Sequence, residues 1–213
     1  MQNPHIGLTA PWNKNLVAGQ KRGFSLDEIA RIEAHLLTER NWHDLALLSF
    51  GLDTMFRASD VLTSKVWQVA YPNGAVRRVI ARKQRKTRHV VNPVLTEQTR
   101  RYLHLWIKQS GKGPQDHLFT RGKETHASPI TRGHYAEIVK TWATWLGHAP
   151  AEFSSHSIRR SKPAHMYWAG EDIALISRLL GHKSIAATIE YLGITQAKAE
   201  TAALRHPMMK GPS

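Results

Sequence analysis

No cysteine occurs in the 213 residues. That removes disulfide scaffolds, thiolate zinc sites and cysteine nucleophiles. Acidic residues are scarce as well: 16 Asp and Glu stand against 30 Lys and Arg, a formal charge of +14 before any of the 13 His is counted. A two-metal nuclease needs several carboxylates on its ions, so this shortage argues against one. No stretch approaches the roughly 18 uninterrupted apolar residues of a membrane span. The first thirty residues also lack the apolar core of a signal peptide. H-E-x-x-H, a Walker loop and G-x-S-x-G do not occur. The expectation is a soluble, basic, cytoplasmic protein without a membrane partner.

What is present is enough apolar residue for a core, 41%, in a length that suits one compact domain. The charge favours a polyanionic partner, without saying which. Residues 1–24 hold Pro4, Pro11 and three Gly with no sustained periodicity and read as a flexible arm. Ser25 and Glu28 have the spacing of a capping box opening a helix with Leu26, Ile29, Ile32 and Leu36 on one side. A second helix is expected over 42–54 and a short third one after Arg57. Trp67–Tyr71 and Val76–Ile80 are β-rich and flank Pro72-Asn73-Gly74, a hairpin signal. With a third strand at Arg88–Val94 they predict a three-stranded antiparallel sheet. Helices are then expected over 96–109, 131–147, 155–169, 172–180, 184–192 and 195–204, with Gly181 as a stop and Ser184 as a start. Pro163 suits only a first helical turn or a kink. The fold class is mostly α with a small three-stranded antiparallel β-sheet, an α+β domain over 25–206, followed by a disordered tail at 207–213.

The charge is unevenly spread. Between Arg77 and Arg101 lie nine Lys or Arg and one acid, Glu97, a net +8 in 25 residues. A basic turn between strands can follow a phosphate backbone by ion pairing and counterion release, which nominates Arg82, Lys83, Arg85 and Arg88 for nucleic-acid contact.

The remaining groups with chemistry are cations and one aromatic hydroxyl. Arg57 lies in Leu52-Asp53-Thr54-Met55-Phe56-Arg57-Ala58-Ser59-Asp60. Lys86-Thr87 follows the second strand. His156 precedes Arg159 by three residues, His182 follows Arg159 by 23, and Tyr191 follows His182 by nine. Taken singly these have ordinary readings: Arg57 paired with Asp60, His182 as a cation at a helix C-terminus, Tyr191 packed in an amphipathic helix. Taken together, in this order and spacing, they resemble the tyrosine recombinase (phage integrase) family over about residues 25–200. That family has an Arg after an apolar helix, a Lys in a β-hairpin, H-x-x-R, then L-G-H and a Tyr nine residues later.

The resemblance implies a tyrosine recombinase catalytic-domain fold and a site-specific recombinase that needs neither metal nor ATP. It implies that Tyr191 attacks the scissile phosphate to give a 3′-phosphotyrosyl link. Arg57 and Arg159 would hold the non-bridging oxygens, with His182 adding a hydrogen bond. His156 would accept the phenolic proton, and Lys86 would donate to the leaving 5′ oxygen. Lys83 is the alternative lysine, since Lys86-Thr87-Arg88 has Arg where many relatives have K-T-G. The implied partners are double-stranded DNA at a specific site, further copies in a tetramer built through residues 195–206, and an accessory DNA-binding protein. Relatives carry a helical DNA-clamping domain ahead of the catalytic one, and the resemblance covers only the latter. A type IB topoisomerase-like relaxation, or a binding factor that does not cleave, are the other readings of the same residues.

Overall fold

The computed structural model describes residues 21–121 and 127–205; the rest of the expected arm, residues 1–20, and the expected tail at 207–213 lie outside the described residues. The centre of the fold is α2 (Trp42–Thr54), which is apolar on nearly every side: Leu45, Ala46, Leu47, Leu48 and Phe50 are all buried. A helix of that kind must be surrounded, and α2 is, by α1 (Leu26–Thr38), α5 (Glu97–Ser110) and α7 (Ser155–Trp168). Gly51 allows a close approach of α7 and of Tyr135. A Cβ there would stand 2.7 Å from Ile158 Cγ2 and 2.9 Å from the Tyr135 hydroxyl.

α1 opens with the expected capping box, the Ser25 hydroxyl accepting from Glu28 N–H at 3.1 Å and Glu28 Oε2 from Ser25 N–H at 2.8 Å. It buries Ile32 and Leu36, whereas Leu26 at its first position is exposed. Residues 21–24 lie against the body: Arg22 N–H donates to the Glu152 carbonyl at 3.1 Å, and the buried Phe24 stacks on Phe153 at 4.6 Å. Asp53 ties three helices, accepting from Thr96 N–H at the N-cap of α5 (2.7 Å) and from Lys162 Nζ on α7 (2.9 Å). Although burial alone would raise the pKa of Asp53, the Thr99 hydroxyl, Lys162 and Thr96 N–H overcome it and hold the carboxyl below its ordinary range.

The sheet is smaller than expected. Among the described residues its only named strands are β1 (Arg82–Lys83) and β2 (Val90–Val91), antiparallel, with Arg82 opposite Val91 and Lys83 opposite Val90. The expected first strand is instead a helical turn, α4 (Val66–Val69), whose start is capped by Gln68 Oε1 accepting from Lys65 N–H at 2.8 Å. Only the bridges Ala70–Val76 and Val79–Val94 remain of the longer pairing. Pro93 interrupts it, since it accepts from Ile80 N–H at 3.2 Å but has no N–H to return. The result is a mostly helical fold with a two-stranded sheet.

The chain from α3 (Ala58–Leu62) to the hairpin and the C-terminal helices completes the body. α6 (Arg132–Trp145) packs on α7; α8 (Ile173–Leu180) and α9 (Ile185–Leu192) pack on each other and on α7. α7 runs through Pro163, which removes the amide that would have bonded the Arg159 carbonyl. α10 (Gln196–Arg205) makes no extensive contact with any other described element. No described helix is long and apolar enough to cross a membrane.

Candidate active site

The site forms where three chain reversals meet. α2 ends on Met55 in the left-handed region (φ 50°), which turns the chain so that Arg57 stands at the N-cap position of α3 with its side chain free of the helix. α8 ends on Gly181 (φ 63°), which brings its last carbonyl, that of Leu180, beside the hairpin. The hairpin loop closes with Arg88 N–H donating to the Gln84 carbonyl at 3.0 Å and Gln84 N–H to that of His89 at 2.8 Å. Arg88 itself has φ 62°, so the backbone keeps the conformation a Gly would favour there.

Arg159, on the second turn of α7, is 2% exposed. Its Nη1 donates to the Met55 carbonyl and its Nη2 to that of Leu180 at 3.0 Å, so it locks two of these reversals together. Arg57 Nη1 donates to Gln84 Oε1 at 2.6 Å. The local pairing with Asp60 does not form; the buried Asp60 instead accepts from the backbone N–H of Arg85 at 3.2 Å and holds the hairpin loop down.

Tyr191 leans into a small apolar cluster of Met55, Ile176 and Leu180. His182 meets its ring edge-on at 5.3 Å, and the Arg160 and Arg159 guanidinium carbons stand 5.0 and 6.0 Å from its centroid. The phenolic oxygen is enclosed and has no well-aligned hydrogen bond, although Arg159 lies near enough to favour the phenolate. Burial raises the tyrosine pKa, and Arg159, Arg160 and Arg57 pull against that rise. His182 shares a 2.9 Å hydrogen bond between Nδ1 and the hydroxyl of the buried Thr188. Desolvation, followed by the charges of Arg159 and Arg57, lowers its pKa to about 4. His156 lies at the start of α7 with its surface exposed. Its pKa is also lowered, first by desolvation from the surrounding chain and then by Arg159, Arg57, Arg160 and Lys86. The lowered pKa favours the neutral form of both imidazoles.

A cleft of about 520 Å³ opens over these groups, lined by Arg57, Lys86, Thr87, His182, Lys183, Ala187, Glu190 and Tyr191. Lys86 is at the hairpin tip, while Lys83, on β1, is not among the lining residues. A larger cleft of about 700 Å³ between α6 and the Pro150 turn is lined by none of the expected groups. Arg82 is placed differently from the other hairpin cations. Its guanidinium points inward, donating to Gln68 Oε1 at 2.9 Å and Thr63 Oγ1 at 2.6 Å, and desolvation lowers its pKa. Lys83, Arg85 and Arg88 are exposed. Among the described residues no three His, Asp or Glu side chains gather as a metal-binding group. Sequence reasoning passed over Gln84, Thr188 and Arg160. Gln84 alone had a signal: an amide that breaks a run of cations.

Comparison with known proteins shows the family and the fold. Residues 24–198 match the model of the phage integrase family. The chain is 27% identical over 158 residues to the tyrosine recombinase XerD of Rickettsia conorii, covering 72% of this chain and 50% of that protein. It is 26% identical over 172 residues to the probable integrase/recombinase YoeC of Bacillus subtilis, covering 81% and 88%. The chain thus spans half the length of that XerD. The fold is similar to that of XerA recombinase, with TM-score 0.68 and 17% identity over 99% of this chain and 70% of that one. It is also similar to XerH recombinase bound to its difH substrate before cleavage, with TM-score 0.66 and 18% identity over 89% and 56%.

Proposed function

The chain belongs to the phage integrase family, with the tyrosine recombinase catalytic domain as its body, and on that premise we propose that it cuts and rejoins DNA through Tyr191. One observation carries the proposal: Arg57, Lys86, His182 and Tyr191 line a single cleft, with the Arg159 guanidinium 6.0 Å from the tyrosine ring. In the proposed reaction the phenolic oxygen attacks phosphorus, an oxygen–phosphorus bond forms, and the bond to the 5′ oxygen breaks. The phenol must lose its proton in that step, and neutral His156 accepts it. Lys86 supplies a proton to the leaving oxygen. Arg57 and Arg159 balance charge on the non-bridging oxygens, which planar guanidinium groups suit, and His182 adds a hydrogen bond. The link keeps the phosphodiester's bond energy, so the 5′ hydroxyl of another strand can reverse the step. Because the tyrosine oxygen is enclosed, α9 must shift, or the phosphate must enter beside Arg159 and Arg160, before attack.

Double-stranded DNA at a recombination site is the proposed substrate, with the exposed Lys83, Arg85 and Arg88 along its backbone and Arg82 bracing the hairpin. The 25–206 body is the proposed catalytic unit. We assign residues 195–206 to contact with a neighbouring copy in a tetramer on DNA; the exposure of Leu204 on α10, and of Leu175, Leu179, Ile185 and Ile189 on α8 and α9, supports this. The test is to express the full chain in bacteria, lyse in detergent and sequence the DNA that stays bound. A nicked suicide duplex built on that sequence should form a covalent adduct that Tyr191→Phe abolishes. Lys86→Ala should slow the adduct about 100-fold or more, and a sulfur leaving group that needs no proton should restore the rate. Relaxation of any plasmid without recombinant products would speak for the topoisomerase reading.

A further inference from the structure

We propose that Gln84 is a positioning residue for this reaction, orienting the Arg57 guanidinium without neutralising it; the inference rests on the assignment of Tyr191 and its arginines above. Between Arg82 and Arg88 every residue except Gln84 and Thr87 is Lys or Arg, yet Gln84 is the one that is 1% exposed. An amide buried in that way must have its donors and acceptors met. Its Oε1 accepts from Arg57 Nη1 at 2.6 Å and from the Thr87 hydroxyl at 2.8 Å, and its Nε2 donates to the Leu180 carbonyl at 3.0 Å. The same carbonyl accepts from Arg159 Nη2 at 3.0 Å. One side chain therefore links the cap of α3, the loop that carries Lys86, and the end of α8. Both arginines share its network.

The pattern also fixes which end of the amide is which. A guanidinium requires the oxygen and a carbonyl requires the nitrogen. A glutamate would still accept from Arg57, but it would cancel the charge meant for the phosphate and would set a carboxylate oxygen against the Leu180 carbonyl. A neutral acceptor holds one Nη and leaves the other N–H groups, with the full positive charge, for the non-bridging oxygens. The amide lies where a side chain at position 181 would stand, since a Cβ added to Gly181 would be 2.9 Å from both Nε2 and Oε1, and glycine leaves it that space.

The test uses the full chain and the suicide duplex, comparing Gln84→Leu, Gln84→Glu and each combined with Arg57→Ala. Gln84→Leu, with an unchanged circular-dichroism spectrum and DNA affinity, should form the adduct about 100-fold more slowly, the scale of a misplaced catalytic group. Gln84→Glu, which keeps the acceptor, should be slowed too and carries the test if the Leu variant does not fold. Gln84→Leu combined with Arg57→Ala should be no slower than Arg57→Ala alone, because the amide acts through that arginine, whereas Gln84→Glu with Arg57→Ala leaves an unpaired carboxylate beside the phosphate and should be slower still. A wild-type rate in both single variants, or a Gln84→Leu loss that multiplies with that of Arg57→Ala, overturns the proposal. If wild-type protein forms no adduct, the reading of Tyr191 has failed and this inference falls with it. If it forms the adduct and the Gln84 variants match it, only the role of Gln84 is wrong.

Discussion

Replacing Gly181 by Ala probes the junction on which the site is built, and Gly111 provides a matched control. Both glycines end a helix in the left-handed region, at φ 63° and φ 66°. An alanine in that conformation costs about 1 kcal/mol at either position. At Gly111 the new Cβ meets nothing within 4 Å, so the cost ends there. At Gly181 it would lie 2.9 Å from Gln84 Nε2, Gln84 Oε1 and Val91 Cγ1, closer than carbon packs. Val91 is β-branched and stiff, so Gln84 must move, loosening its bonds to Arg57, Thr87 and the Leu180 carbonyl. Crowding of this kind costs roughly 1–3 kcal/mol. Urea denaturation should therefore show a loss of about 1 kcal/mol for Gly111→Ala and about 3 kcal/mol for Gly181→Ala. Adduct formation should fall only in the second. Equal losses in the two variants, or a Gly181→Ala protein with full adduct rate, would refute the view that close contact at Gly181 holds the site together.

Acid should destabilise the protein through His182. Its folded-state pKa of about 4 lies below the ordinary 6.5, so its contribution is intact above pH 6.5 and is lost as pH falls through 4. Over that window wild-type protein should lose up to about 3 kcal/mol more than His182→Asn in urea melts, and equal losses would discount the desolvated imidazole. Tyr191→Phe should melt at or slightly above the wild-type temperature, because it removes an enclosed hydroxyl without a hydrogen bond; a loss beyond about 1 kcal/mol would mean that the hydroxyl is bonded after all. Arg85→Ala and Arg88→Ala should each lower the salt slope of DNA binding by about 1, while Arg82→Ala should leave that slope alone and reduce stability. The opposite pattern would put Arg82 on the DNA.

Much of this was legible in local chemistry. The Ser25–Glu28 box, the start at Ser184 and the stop at Gly181 each leave a signature within one helical turn, and all are found. The extent of the sheet was not. Trp67–Tyr71 is β-rich in composition, but Gln68 caps a helical turn there, and Pro93, inside the expected third strand, has no N–H to return to Ile80 across the pair. The site residues could be proposed because their types, order and spacing together resemble the pattern of a known family. Their supports could not. Gln84 reaches Arg57 from 27 residues away and the Leu180 carbonyl from 96, and a lone glutamine in a basic loop carries no hint of either distance. Arg57 likewise stands three residues from Asp60 in sequence yet pairs elsewhere, because Asp60 is turned toward the Arg85 amide.

The most direct measurement is to trap the covalent complex on the suicide duplex, digest protein and DNA, and locate the nucleotide by mass spectrometry. The account predicts a 3′-phosphoryl nucleotide on Tyr191, in the tryptic segment 184–198. A nucleotide on Tyr167 or on any other side chain, or one attached through its 5′ phosphate, would contradict it.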